Sequence, residues 1–133
     1  MQKQFIPIAG ILAGIAVILG AMGAHALKSI MAPELLESFE TAVRYQMYHA
    51  LALIGIALLQ NTFKSKFFNY AGWFMIAGII LFSGSIYLLS LRDILNMPGL
   101  IMLGPITPFG GISFILGWLF LVIGGFEKTK MKN

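Results

Sequence analysis

Four long stretches of this chain contain no Lys, Arg, Asp or Glu, and this pattern limits the fold more than any other feature. The four uncharged stretches are residues 4–27, 45–63, 67–91 and 94–126. A helix needs about 20 apolar residues, at a rise of about 1.5 Å each, to cross the hydrocarbon core of a bilayer. The first three stretches each fit one such helix. We predict these helices at about 5–26, 43–60 and 67–91.

The fourth stretch is too long for a single span. It is interrupted by Pro98-Gly99, Gly104-Pro105 and Thr107-Pro108. Because proline removes a backbone donor and clashes with the preceding turn, we predict that the last helix covers about 109–126. The sequence therefore predicts an all-α bundle of four transmembrane helices, which forms a single domain over residues 1–133.

The composition supports this class and excludes several others. The chain is 59% hydrophobic and 11% charged, whereas a soluble domain has about 25% charged residues. Too few polar side chains remain to cover a water-soluble fold. There is no cysteine, which excludes disulfides, thiolate metal sites and cysteine nucleophiles. The net charge of +4 is scattered between apolar runs, so we expect membrane lipids and no nucleic acid as partners.

The distribution of Lys and Arg predicts the orientation. With four spans, both chain ends and the connection between the second and third helices lie on one side of the membrane. That side holds six lysines, namely Lys3, Lys64, Lys66, Lys128, Lys130 and Lys132, and the other side holds three basic residues, Lys28, Arg44 and Arg92. Cytoplasmic loops carry an excess of Lys and Arg. We therefore predict a multi-pass protein of the cell membrane with both termini in the cytoplasm.

The connection between the first two helices has a helical pattern of its own. Pro33 suits a first helical position, and Glu34, Glu37 and Glu40 follow in the opening turns, where negative charge is favoured. An apolar stripe accompanies them, formed by Leu35, Leu36, Phe39, Ala42 and Val43. This pattern indicates a short interfacial helix, or an extension of the second helix beyond the membrane.

Small residues recur four apart along the first helix, among them Gly10, Gly14 and Gly20. Such spacing lets helix backbones approach closely in lipid. We expect this face to pack within the four-helix unit, with self-association as the second interpretation.

Polar residues of four separate segments, the last of them represented by Thr107, fall at one membrane level, on the predicted outer side. The candidates for a ligand site in this layer are His25, Arg44, Gln46, Tyr48, His49, Ser83, Ser85 and Tyr87. In one interpretation they form an ordinary interface, with tyrosines in an aromatic belt and Arg44 reaching phosphates. In the other they line a pocket for a lipid headgroup or a small amphiphile, since polar groups in a membrane normally face the bundle interior. His49 is the residue least explained by a belt.

Catalytic and metal chemistry have little support in the sequence. His25 and His49 have no spacing typical of metal ligands. Ser83-Gly84-Ser85 lies within a predicted helix instead of a strand–turn–helix elbow. We expect no catalytic residue, no metal and no cofactor.

The chain resembles a family of small multi-pass membrane proteins, domain-of-unknown-function family four hundred and twenty-three. The stretches that carry the resemblance are GAMGAHALK (20–28), FETAVRYQMYHALALI (39–54), FSGSIYLL (82–89) and GPITPFGGISFILGW (104–118). They occur in family order through nearly the whole chain, although Met22 stands where the family usually has an aromatic residue. The resemblance implies a four-helix bacterial inner-membrane protein and supplies no catalytic residues.

These features favour a non-enzymatic membrane protein that binds a lipid-like or small amphipathic ligand, or a partner helix, at the outer leaflet. The alternative is a small membrane transporter, and an integral membrane enzyme comes third. Small four-helix transporters need an intramembrane carboxylate for proton coupling, and the predicted spans contain no Asp or Glu.

Overall fold

The computed structural model describes residues 3–127. Within this range the chain forms α1 (Phe5–Ala24), α2 (Pro33–Thr62), α3 (Lys66–Leu91) and α4 (Ile106–Phe126), with a 3-10 helix, Pro98–Leu103, between the last two. Among these described residues, four helical spans are long and apolar enough to cross a membrane. The predicted all-α architecture and the number of spans are therefore confirmed.

The second helix is longer than predicted, because it includes the segment expected to lie separately at the interface. It runs without a break from Pro33 to Thr62. Its only proline stands at the first position, where the backbone N–H has no partner in any case. From Pro33 to Thr62 there is no separate interfacial helix. The structure shows the other predicted arrangement, the extension of the second helix. Its 30 residues measure about 45 Å at 1.5 Å each, so α2 is longer than the hydrocarbon core of about 30 Å.

The last helix begins at Ile106, ahead of the predicted start. Pro108 is then the third helical residue. The first four N–H groups of a helix have no intrahelical acceptor, so a proline there removes nothing that the helix uses. The prediction was too restrictive because it treated every proline as a helix boundary.

The third span changes its winding in the middle. It is α-helical from Lys66 to Gly78, π-helical from Ile79 to Gly84, and α-helical again from Ser85 to Leu91. A π segment widens the helix and shifts the side chains that follow it. The π segment is not predicted from the sequence.

The core lies where α2 packs on α1 and α3, and where α3 packs along α4. The largest buried apolar cluster draws on all four helices and includes Phe5, Leu53, Met75 and Phe114. A smaller cluster around Phe39 joins the beginning of α2 to the end of α3. The outward faces are apolar too, as expected of helices that face lipid.

Small residues seven apart line the buried faces of α1 and α4. On α1 the buried face includes Ala9, Ala16 and Gly23, and on α4 it includes Gly110, Gly117 and Gly124. Seven residues are nearly two turns, so this spacing keeps a small residue on one side of each helix.

The predicted packing face on α1 is wrong at two of its three glycines. A Cβ atom added to Gly10 or Gly14 would meet nothing within 4 Å, whereas one on Gly20 would lie 3.3 Å from Val43 Cγ1. A repeat of four residues advances roughly 40° around the helix at each step. Gly10 and Gly14 therefore lie on a face of α1 that points away from α2. Ala9, Ala16 and Gly23, which are seven apart, stay on the buried face.

The two ends of the bundle differ in chemistry. At one end the Ser65 hydroxyl donates to the carboxylate of Glu127, which joins the α2–α3 connection to the end of α4. The opposite end, here called the Glu34 end, holds the beginning of α2 and the end of α3. Three of the lysines used to predict the orientation, Lys128, Lys130 and Lys132, lie outside the described residues. The orientation stays a prediction.

Candidate functional site

Gln46 joins three helices through its side-chain amide. It lies on α2 and is buried. Its Nε2 donates to the backbone carbonyl of Leu12 on α1 at 2.7 Å. Its Oε1 accepts from the hydroxyl of Tyr87 on α3, also at 2.7 Å. A buried amide with both ends paired holds α1, α2 and α3 in one arrangement.

His49 lies one turn further along α2 and connects it to α4. Its Nδ1 lies 2.6 Å from the Tyr45 carbonyl oxygen, and its Nε2 lies 3.2 Å from the indole nitrogen of Trp118. An indole N–H only donates and a carbonyl only accepts, so Nε2 must be the acceptor and Nδ1 must carry the proton. The ring also stacks on Phe114, with 3.5 Å between centroids and 12° between planes.

This arrangement makes His49 a neutral residue with both nitrogens engaged. Its aromatic and polar partners come from α2 and α4, and the side chain is only 5% exposed. The Nε2 lone pair that would bind a metal accepts the Trp118 hydrogen. Through these contacts His49 connects α2 to α4.

Serine hydroxyls make further bonds between helices. Ser83, in the π segment of α3, donates to the Ala42 carbonyl of α2 at 2.8 Å. Ser113 of α4 donates to the Phe74 carbonyl of α3 at 2.8 Å. These bonds fix the rotation of α3 against both of its neighbours, because each hydroxyl would otherwise be unpaired in a buried position.

Another hydroxyl contact between helices lies closer to the Glu34 end. Ser85 Oγ is 2.6 Å from Thr107 Oγ1 and 3.0 Å from the Phe82 carbonyl oxygen. Since Ser85 donates to that carbonyl, Thr107 is the donor to Ser85. The contact ties the first turn of α4 to α3.

The structure thus brings together some of the predicted site residues and leaves others apart. Gln46, His49, Ser83, Ser85 and Tyr87 form bonds between or within the packed helices. The remaining three, Arg44, Tyr48 and His25, are exposed. Arg44 donates to Thr41 at 3.0 Å, and His25 caps the end of α1. Ligand binding by these residues stays a prediction.

A cavity of about 440 Å³ opens beside this layer at the Glu34 end. It lies between the first turns of α2, the last turns of α3 and the beginning of α4. Leu35, Ile86 and Leu89 form its apolar wall. Its volume falls within the range of small-molecule sites, about 300–1,000 Å³.

Polar groups line the rest of the cavity. Four of them are hydroxyls, on Ser38, Thr41, Ser90 and Thr107, and two are charged, Glu34 and Arg92. The combination of an apolar wall with groups of both charges suits an amphipathic molecule.

None of the residues that line the cavity is among the eight predicted site residues, although the sequence carries one signal of the cavity. Glu34, Ser38 and Thr41 follow one another at helical spacing and so share one face of α2. The predicted polar layer was centred on Arg44 to His49, which come later along α2. Among residues 3–127 no three His, Asp or Glu side chains come close enough together to hold a metal ion.

Comparisons with known proteins agree with a membrane family of unknown function. Residues 19–111 match the family model described as Protein of unknown function (DUF423). The chain is 43% identical to a UPF0382 membrane protein of Staphylococcus saprophyticus over 95% of this chain and 99% of the relative. It is 45% identical to one of Staphylococcus aureus, over 95% and 98%, and 43% identical to one of Bacillus subtilis, over 92% and 95%. No solved structure matches. The chain belongs to this family of membrane proteins.

Proposed function

We propose that this member of the family is a non-enzymatic membrane protein that holds one lipid-like amphipathic molecule in the cavity at the Glu34 end. In the predicted orientation this end lies in the outer leaflet. The proposal is based on the cavity itself. Its volume is about 440 Å³, and both apolar and polar side chains line it. A lipid offers the same two kinds of surface.

The hydrogen-bonded layer supports this proposal by giving the cavity fixed walls. Thr107 lines the cavity and bonds to Ser85, and Ser83 holds α3 against α2 just below it. Walls that are already in place lower the entropy cost of ordering a site around a ligand. The layer therefore acts as the support of the site, and the cavity takes the ligand.

The test is native mass spectrometry of the protein purified in a mild detergent. We expect the unmodified protein to retain one lipid. Leu89→Trp places a large ring in the cavity and should displace that lipid. The matched control is Leu88→Trp, one residue earlier on α3, where the side chain is 42% exposed and does not line this cavity.

Three results would count against the proposal. The protein could retain no lipid, Leu89→Trp could retain it as the parent does, or Leu88→Trp could lose it while Leu89→Trp does not. Circular dichroism of each variant shows whether the helices are intact.

A further inference from the structure

The hydroxyl groups that line the cavity present acceptors to its interior. A serine or threonine hydroxyl has a single hydrogen. Ser38 donates that hydrogen to the Glu34 carbonyl at 3.2 Å, Thr41 donates to the Glu37 carbonyl at 3.0 Å, and Ser90 donates to the Ile86 carbonyl at 2.7 Å. What these oxygens still offer a ligand is their lone pairs, although Thr41 already uses one of its two to accept from Arg44.

Thr107 follows the same rule. Its hydrogen goes to Ser85 Oγ, because the Ser85 hydrogen is donated to the Phe82 carbonyl. The hydroxyls of the cavity are therefore suited to a ligand that carries several hydrogen-bond donors.

The two charged residues add a second requirement. Glu34 supplies a carboxylate from the first turn of α2. Arg92 stands at the end of α3, and its Nη1 donates to the Leu89 carbonyl at 2.6 Å. A guanidinium has five N–H groups, so this one bond leaves others for an anion. The cavity thus offers a positive group and a negative group to the same molecule.

We infer that the cavity binds the headgroup of a phospholipid that carries both a phosphate and a primary ammonium. The phosphate lies at Arg92, whose planar fork matches phosphate oxygens. The ammonium lies at Glu34 and donates its N–H groups to the surrounding hydroxyl oxygens. The apolar wall at Ile86 and Leu89 covers the start of the acyl chains. This inference rests on the proposed function, since it identifies the lipid that the cavity would hold.

The chemistry of the lining predicts which headgroups are rejected. A quaternary ammonium has the charge but no N–H group, so it leaves the hydroxyl acceptors without donors. A glycerol headgroup has donors but no positive charge to place against the Glu34 carboxylate. Hydrogen bonds from a charged donor are stronger than neutral ones, and each of these two headgroups lacks either the donors or the charge, so both should bind less well than an amine.

The experiment is a competition in mixed micelles, read by native mass spectrometry of the unmodified protein. The probes are phosphatidylethanolamine, its mono- and dimethyl derivatives, phosphatidylcholine and phosphatidylglycerol, all with the same acyl chains. Binding should fall as each N–H is replaced by a methyl group, by about tenfold over the whole series. Phosphatidylglycerol should also bind more weakly than phosphatidylethanolamine.

Two variants test whether Glu34 and Arg92 produce the preference for phosphatidylethanolamine. Glu34→Gln should reduce the preference for phosphatidylethanolamine over phosphatidylcholine, and Arg92→Gln should weaken binding of all five lipids. Glu37→Gln is the matched control, because Glu37 is exposed on the same stretch of α2 and does not line the cavity.

The outcomes separate this inference from the function on which it rests. Equal retention of all five lipids, with displacement by Leu89→Trp, would overturn the headgroup assignment and leave the lipid site standing. A preference that Glu34→Gln does not change would overturn the assignment as well. Retention of none of the lipids would overturn both.

Discussion

The hydroxyl of Tyr87 donates to Oε1 of Gln46 across 2.7 Å, between helices that are separate spans of the membrane. The same amide donates to the Leu12 carbonyl at 2.7 Å. One glutamine therefore fixes the relative rotation of three helices. In a bilayer core no water replaces a lost hydrogen-bond partner. Each substitution among these hydrogen-bonded residues should therefore lower the free energy of unfolding by a measurable amount.

Tyr87→Phe should destabilise the bundle by about 1 kcal/mol, since it leaves Gln46 Oε1 without its donor. Combining it with Gln46→Leu in a double-mutant cycle should give a coupling of about 0.6–1.7 kcal/mol, as for other hydrogen bonds between membrane helices. The measurement is unfolding in mixed detergent micelles, followed by circular dichroism. Tyr48→Phe is the control, because Tyr48 is 54% exposed. A coupling near zero would mean that the two groups do not bond in the membrane.

His49→Phe should destabilise the protein by about 1–2 kcal/mol, although phenylalanine is the more apolar side chain. The variant leaves the Trp118 indole N–H without an acceptor and removes the bond to the Tyr45 carbonyl. The same unfolding measurement checks this prediction, with the exposed His25→Phe as control. A stabilised His49→Phe variant would support the interpretation that His49 merely marks an interface.

The sequence predicts much of this fold because lipid excludes charge. The uncharged stretches locate the spans within a few residues. The bounds of 43–60 predicted for the second helix were too short, because Arg44 and the glutamates were taken to lie at or beyond its end, although its extension was one of the two interpretations. They are compatible with a continuous helix because charged residues on a helix that extends past the hydrocarbon core can reach water.

The partners of the site residues depend on helix rotation, which a single sequence does not contain. His49 was recognised as unusual from its depth, and Gln46 was one of the candidate site residues. That they bond to Leu12 and Trp118 follows from how α1 and α4 turn against α2. The position of the cavity was not predicted either. The cavity is a gap in the packing of three helices, and such a gap depends on how the helices are arranged in space.

Gly110→Ala should destabilise the bundle by about 1–3 kcal/mol, the usual cost of overpacking. The new Cβ would lie 2.2 Å from the backbone nitrogen of Phe82, which cannot move without displacing the π segment of α3. Gly125→Ala is the matched control on the same helix, since nothing lies within 4 Å of its Cβ.

Gly14→Leu should leave the unfolding midpoint unchanged, because a side chain there meets open space. Equal effects of Gly110→Ala and Gly125→Ala, or a large effect of Gly14→Leu on the monomer, would contradict the seven-residue packing face.

The predicted orientation is tested by cysteine labelling in intact cells, which the absence of native cysteine makes simple. A cysteine replacing Ser38, at the Glu34 end, should react with a thiol reagent that does not cross membranes. One replacing Lys64, at the other end, should react only after the cells are opened. The reverse pattern would place the cavity in the cytoplasmic leaflet.

The central claim is that a phospholipid phosphate sits against Arg92 in the cavity, and solid-state NMR tests it most directly. The chain has two arginines, Arg44 and Arg92, so arginine labelled with nitrogen-15 in an Arg44→Lys variant gives a guanidinium signal from Arg92 alone. The measurement is the dipolar coupling between these nitrogens and lipid phosphorus, in phosphatidylethanolamine bilayers, with and without Leu89→Trp. We predict a strong coupling that Leu89→Trp abolishes and Leu88→Trp preserves. A coupling that Leu89→Trp leaves unchanged would mean that Arg92 meets only the phosphates of the surrounding bilayer, and would contradict the claim.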